Sequence, residues 1–294
     1  MKNYDMILQA ISETPWAIHP PKLAAMVAVV EARLNGITLE SEQLVALQAR
    51  REERLGVSGG VAVMGLQGTI SPKVGLLQGS GGTSAEQFRR ELSAAIGSPD
   101  VDAIVVDVDS PGGSVFGLRE TADMIHSMRG KKPMTAVINP EGYSAAYYLA
   151  SAFDDIAITP SGMVGSIGTM TAHVDQSKMD EQIGLKVTYI HAGKYKVEGN
   201  PHEPLGEEAQ AAEQKLVDHY YGDFLRAVAR GRGITTAQVE DKFGQGRIFP
   251  AGEAKERGMV DRIATLEEVV DGYKRRSSSA SKRHAQRLLL KNSI

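Results

Sequence analysis

From residue 60 to about residue 260 the chain alternates between short runs of consecutive apolar residues and stretches where apolar residues return every third or fourth position. Residues 61–70, 101–108, 134–138 and 156–158 are runs of the first kind, 101–108 being interrupted by the acids Asp102 and Asp107. Such runs predict strands covered on both faces, as in a parallel sheet. Residues 83–96 show the helical period, and Thr83 and Glu86 have the spacing of a capping box. Pro99-Asp100 marks a turn. After Pro111-Gly112-Gly113 a helix is expected with Val115, Leu118, Ala122 and Ile125 inward and Gly130 at its end. Residues 139–142 read as a tight turn and 144–151 as an Ala-rich helix. Strands are expected at 166–174 and 187–190, and helices at 176–183 and 207–230. Ile248-Phe249 and a helix over 251–257, stopped by Gly258, close the pattern. This β-α-β-α alternation predicts an α/β fold with a parallel-sheet core and helices on both faces.

Ahead of this core, residues 1–58 read as a helical N-terminal extension. Pro20-Pro21 opens a helix along which Leu23, Met26, Val27, Val30 and Leu34 share one face, a second helix spans about 40–55, and Ser58-Gly59-Gly60 is a linker. The Gly-rich run 75–82 is a loop. Residues 59–271 form the main domain, and residues 272–294 a basic flexible tail whose Ser, Lys and Arg content predicts disorder. Net charge changes the picture only there. The formal value is −3, but the tail carries seven Lys or Arg and no acid, so residues 1–271 hold −10.

A chain of 294 residues can fill one large core or two modest ones. With no cysteine it has no disulfide framework, no thiol nucleophile and no thiolate metal site. No His pair has metal-ligand spacing, and neither a metal nor a cofactor is expected. No apolar stretch approaches a membrane span, and residues 1–10 lack the apolar run of a secretory signal, so a cytoplasmic location is expected.

Three segments offer chemistry. Ser144 sits where a strand gives way to a helix, a place for an exposed nucleophile backed by a positive helix end, and equally a place for a plain N-cap. Gly112 and Gly113 follow a buried strand and can present backbone N–H groups to an oxyanion or a phosphate; no P-loop Lys-Ser/Thr follows them. Lys196 lies in a loop with Gly193, Gly199 and Pro201. A lysine acts as a base only when neutral, a state that burial without a carboxylate partner favours. Lys194 competes for that role, and the residue types alone do not choose between them. A Ser-His-Asp arrangement using His173 or His191 with Asp154, Asp155 or Asp175 also stays open.

Taken in order, these segments resemble the signal peptide peptidase A, or protease IV, family of serine proteases, within the wider Clp/crotonase-like fold group. The resemblance rests on Ser110-Pro111-Gly112-Gly113, Tyr143-Ser144-Ala145-Ala146-Tyr147-Tyr148, Val164-Gly165-Ser166-Ile167-Gly168, Gly193-Lys194-Tyr195-Lys196, and the closing series Gly246, Arg247, Gly252, Ala254, Gly258, Val260, Asp261. It spans residues 60–262. It implies a Ser/Lys dyad of Ser144 and Lys196, rather than Lys194, with Gly113 and Ala145 N–H groups as the oxyanion hole and Ser166 orienting the lysine. The family's Gly-Gly after the nucleophile is Ala145-Ala146 here, and its membrane anchor is missing. The segment Thr14 to Ile18, with Pro21, Lys22 and Leu23, resembles the short helical lead of the phage head-maturation branch. That branch implies a homo-oligomer acting on scaffold and capsid proteins during prohead maturation, with substrate bound as an extended strand. The alternatives are a cytosolic signal-peptide or peptide-degrading peptidase, a proteolytically silent capsid-assembly module, and an acyl-CoA enzyme of the crotonase type.

Overall fold

The computed structural model describes residues 15–24, 56–73 and 82–291, with side chains as far as residue 278. Its strands in chain order are β1 (Trp16–Ile18), β2 (Gly56–Ser58), β3 (Val61–Gln67), β4 (Ile70–Ser71), β5 (Thr83–Ser84), β6 (Ala103–Ser110), β7 (Gly112–Ser114), β8 (Met134–Tyr143), β9 (Asp155–Ile158), β10 (Met163–Gly165), β11 (Ile248–Pro250) and β12 (Arg262–Ile263). Its helices are α1 (Ala85–Gly97), α2 (Leu118–Met128), α3 (Ala145–Ala150), α4 (Ser177–Ile183), α5 (Glu207–Arg232), α6 (Thr236–Lys242), α7 (Ala251–Glu256) and α8 (Leu266–Lys291).

The main sheet runs β11-β10-β8-β6-β3-β2, with β9 and β12 attached beside β8. β3, β6, β8 and β9 are mutually parallel. Alternation along these strands sorts their side chains onto two faces. Ile104, Val106 and Val108 of β6 and Met134, Ala136 and Ile138 of β8 join the core under α1, α2, α3 and α5. Val105, Val137, Val61 and Ala157 face the other way and pack on Leu266 and Val269 of α8. The central strands are mainly apolar because both faces are covered, and the expected α/β fold with helices on both faces is what forms.

A second, four-stranded sheet, β1-β7-β4-β5, stands at the carboxyl end of the main one. Within the main sheet, β8 is forked. Its first half pairs with β9 over Thr135–Ile138, its last three residues pair with β10, and its register with β6 shifts between Val108 and Ser110.

Several expectations are corrected. Residues 139–142 form no turn; they continue β8, which ends at Tyr143. The cap of α1 is Ser84, whose hydroxyl accepts from Gln87 N at 3.3 Å, while Thr83 belongs to β5 and exchanges hydrogen bonds with Gln67. Gly112-Gly113 is strand, not helix lead. Residues 166–174 form no strand beyond a single bridge at Met170, and 187–190 form none, being exposed on both sides with no facing sheet. Residues 16–18, expected as part of a helical lead, are strand β1; the helix expected after Pro20-Pro21 is seen at 20–24, and its continuation lies outside the described residues, as do the helix at 40–55 and residues 75–81 of the loop. The tail expected to be irregular is instead helical as far as Lys291, because α8 is already anchored on the sheet by Leu266 and Val269 and continues from there.

Candidate active site

Ser144 is the single residue between β8 and α3. It has φ 52° and ψ −116°, a conformation that L-residues rarely adopt and that costs on the order of 1–3 kcal/mol. Its hydroxyl caps nothing, so the N-cap reading does not describe it. The Oγ instead rests 3.4 Å from Gly168 O, and the N–H donates to Gly165 O at 2.8 Å. Ser166, the next residue along, also has positive φ (57°) and donates its N–H to Arg247 O at 2.7 Å. Both serines are buried. Two non-glycine residues in strained backbone, joined through one hydrogen bond, are a concentration of strain of the kind found where chemistry is done.

α3 holds this geometry from behind. All six of its residues are buried. Tyr147 donates its hydroxyl to Met259 O at 2.9 Å, and the Tyr148 ring lies 5.0 Å from Phe224 of α5. At the far end Arg129 donates to Ala152 O at 3.0 Å, Ser151 O at 3.3 Å, Phe153 O and Gly231 O at 3.2 Å, satisfying carbonyls that a helix end leaves open. Burial lowers the proton affinity of this guanidinium.

The glycine pair is brought directly to Ser144. A methyl group built on Gly112, whose φ is 102°, would collide with Ala17 O and lie 3.0 Å from both Ile18 Cα and Ser144 Cβ. One on Gly113 would collide with the Ile70 backbone. Only glycine fits either place. The Gly112 N–H donates to Ser110 Oγ at 3.2 Å, and Ser110 donates to Gly68 O at 2.6 Å. The Gly113 N–H is already engaged. β1 pairs antiparallel with β7, Ala17 opposite Gly113. His19 N donates to Pro111 O at 2.8 Å and Val115 N to Pro15 O at 3.2 Å, so Ala17 and Gly113, midway between them, form the hydrogen-bonded pair of the ladder. The Ala145 N–H belongs to the first turn of α3, where no helical carbonyl is available to it.

Lys196 is not brought to Ser144. It is exposed in the segment 184–200, its N–H on Gly193 O at 3.1 Å, and its ammonium has no hydrogen bond or ion pair among the described residues. Lys194 is held elsewhere: it donates to both oxygens of Glu208 at 2.8 and 2.9 Å and to Tyr195 Oη, contacts that raise its affinity for the proton. The histidine alternative is not assembled either. His173 contacts Glu203 O and His191 contacts Gly193 O, both exposed. Asp154 accepts from Met134 N, Asp155 from Thr135 and Asp175 from Ser177 N. Among the described residues no group of three or more His, Asp or Glu is placed to hold a metal ion, and no helix is long and apolar enough to cross a membrane.

Beside the site, burial and the neighbouring Glu141 and Asp107 carboxylates push the Asp109 carboxyl up to about 6, against the pull of Lys22. Burial likewise raises the Tyr143 phenol to about 12 and lowers the affinity of His19, whose ring lies 5.0 Å from Tyr143. Sequence reasoning missed β1, Met170 and Arg129. A three-residue strand carries no measurable period, and nothing in an isolated arginine reports which carbonyls will converge on it.

The comparisons with known proteins agree with the segments quoted above. The model of peptidase family S49 matches residues 126–279, more than half of the chain. Capsid assembly protease C of Escherichia phage lambda is 31% identical over 246 residues, covering 81% of this chain and 56% of that protein. Head-tail preconnector protein GP5 of Enterobacteria phage P21 is 30% identical over 236 residues, covering 80% and 47%. The chain thus spans about half the length of these curated relatives. Among solved structures, the 1510-N membrane protease specific for a stomatin homolog from Pyrococcus horikoshii aligns with TM-score 0.44 and 16% identity over 72% of this chain and 77% of that one. With its matched region running from α2 through the Ser144 turn into α8, the chain belongs to peptidase family S49.

Proposed function

We propose that the chain is a serine endopeptidase whose catalytic unit is residues 59–271, with Ser144 as nucleophile and Lys196 as general base. The observation that carries this reading is the Ser144 turn: a buried serine in strained backbone, capping nothing, packed against Gly112 beside the Gly113 backbone, where only glycine fits. Ser144 Oγ attacks the scissile carbonyl while its proton passes to Lys196 Nζ. Gly113 and Ala145 N–H groups receive the oxyanion. The lysine returns the proton to the leaving amine, then takes one from the water that releases the acyl group. Ser166, whose hydroxyl has no partner among the described residues, is the group to receive and orient the lysine amine. None of these steps draws on a metal or cofactor.

For that chemistry Lys196 has to leave solvent. Its segment exposes Leu185, Val187, Tyr189, Ile190 and Tyr195, with Ile190 99% exposed. Burying this apolar arm against a second copy of the chain would carry Lys196 out of water, which supports a homo-oligomer as the active form. The similarity to phage capsid assembly protease C supports scaffold and capsid proteins as substrates, cleaved in the host cytoplasm or inside the prohead. The basic residues 272–294 would then be a peripheral address.

The test is co-expression with the scaffold and major capsid proteins, read by mass spectrometry of new termini, for wild type, Ser144→Ala and Lys196→Ala. Discrete termini absent from both variants are the expected result. Termini that survive Lys196→Ala would remove it as the base. Assembly that depends on the protein without any cleavage would favour a silent assembly module, the reading that the separation of Lys196 from Ser144 in one chain best supports.

A further inference from the structure

β1 is bonded on both edges. On one side it forms the Ala17/Gly113 ladder pair, flanked by His19 N to Pro111 O and Val115 N to Pro15 O. On the other, Trp16 exchanges hydrogen bonds with Met170, N to O at 2.8 Å and O to N at 2.9 Å. A three-residue segment from the start of the chain therefore sits as a central strand between β7 and Met170, the arrangement in which an extended peptide adds to a sheet edge. If β1 is lifted out, the Gly113 and Met170 backbone groups all point into one open slot, and that slot runs past Ser144.

The register of this strand is specific. The Ala17 carbonyl accepts from the Gly113 N–H, the donor assigned above to the oxyanion, and the Ala17–Ile18 peptide unit flanks the same Gly112 Cα as Ser144 Cβ. Ala17 also forms a wall of a cavity of about 180 Å³ that is lined by apolar side chains such as Val115, Leu118, Tyr148 and Phe224 and edged by the charged Arg119, Glu120 and Asp223. The residues on either side, Trp16 and Ile18, turn to a separate cluster with Leu23 and Met170, so lifting β1 opens this satellite and leaves the body of the main core in place.

We propose that residues 15–19 are the chain's own peptide ligand, held in the substrate slot, and that another peptide binds only after this strand has left. The inference rests on the proposed peptidase reading for what the slot is used for; the occupancy itself rests on the ladder. The ligand class follows from the register: an extended peptide, antiparallel to β7, with a small apolar residue where Ala17 now sits. A segment tethered in the same chain competes at an effective concentration on the order of millimolar, so a free peptide of ~100 µM affinity is weakened about tenfold.

The test uses the absence of native cysteine. Trp16 and Ser114 face each other as the non-hydrogen-bonded pair of the ladder, the closer kind, suited to a cross-strand disulfide. In a Ser144→Ala background, Trp16→Cys with Ser114→Cys is compared oxidised and reduced for binding of a fluorescein-labelled peptide copying residues 13–21. Binding at least tenfold tighter after reduction is expected, and equal binding in the two states overturns the proposal. A second protein, lacking residues 1–19 in the same background, should bind the labelled peptide at least tenfold tighter than the full chain. If it folds and binds no tighter, the slot is not a peptide site. Replacing the Ala17 equivalent of the peptide by Asp should abolish binding, and unchanged binding would refute the register. The same disulfide pair with Ser144 intact separates the two readings: redox-dependent binding without hydrolysis in either state would remove the peptidase reading and leave the occupied slot standing.

Discussion

Gly231→Ala is the sharpest test of how the Ser144 turn is held. Gly231 lies in the last turn of α5 where that helix crosses the end of α3, and a methyl group there would collide with Ser151 O and lie 2.7 Å from Ser151 C and 3.3 Å from Ser151 Cβ. The obstacle is backbone, which no rotamer change can move. Alanine inside a helix is favoured over glycine by about 1 kcal/mol. Against this stand overpacking, at about 1–3 kcal/mol, and the stretching of two charge-assisted bonds from Arg129, to Ser151 O and Gly231 O, at roughly 1.5–3 kcal/mol if either is lost. The net expectation is a loss of about 2 kcal/mol, or a Tm about 5 °C lower. Gly222 is the control: it lies in the same helix, but a methyl there meets only the mobile end of Arg226, at 3.2 Å. Gly222→Ala should gain about 0.5–1 kcal/mol. Thermal and urea unfolding of both variants, with peptide hydrolysis on the folded protein, is the assay. Because α3 follows Ser144 directly and its C-terminal end packs against Gly231, hydrolysis by Gly231→Ala should fall further than its folded fraction. Equal stabilisation by both substitutions would refute the idea that α5 fixes α3 through this contact.

Ser144→Gly should be more stable than Ser144→Ala by about 1 kcal/mol, since glycine adopts φ 52° without strain and alanine does not; equal urea midpoints would show that the turn is unstrained. Asp109 gives a pH signature. Its carboxyl, raised to about 6, is easier to protonate in the folded than in the unfolded chain, so the stability it contributes is present below about pH 4 and lost as pH rises through 6. Asp109→Asn should therefore raise the urea midpoint at pH 7.5 and leave it unchanged at pH 4, and a pH-independent difference would exclude that cause. Mixing inactive Ser144→Ala and Lys196→Ala proteins should restore part of the hydrolysis if the exposed arm completes a neighbour's site; no recovery in mixed oligomers, verified by mass, would confine the dyad to one chain.

The strands that carry the fold were legible because burial on both faces leaves a largely apolar run, broken only by Asp107 in 103–108 and Thr135 in 134–138. The place of Ser144 at a strand–helix junction was legible from the strand before it and the Ala-rich helix after it. Its strained backbone was not, because that depends on β10 taking the Ser144 N–H through Gly165. The expected turn at 139–142 was read from Asn, Pro and Gly, yet pairing with β6 and β10 overrides those local preferences and keeps the segment extended. The same override runs the other way at 187–190, where β-branched residues find no neighbouring strand. The tail, judged by its Ser, Lys and Arg content, propagates from a helix start that the sheet had already fixed.

The forked pairing of β8 divides one strand between two kinds of tolerance. Over Thr135–Ile138 it is hydrogen-bonded to β6 and β9 at once, so changes there should be read out as lost protein in the cell. Over Glu141–Tyr143 it has left β9 for β10, and what it supports is the angle at which Ser144 leaves the sheet. A library randomised along these ten residues should therefore split at Asn139 and Pro140, with abundance defects before them and normally abundant, inactive protein after them.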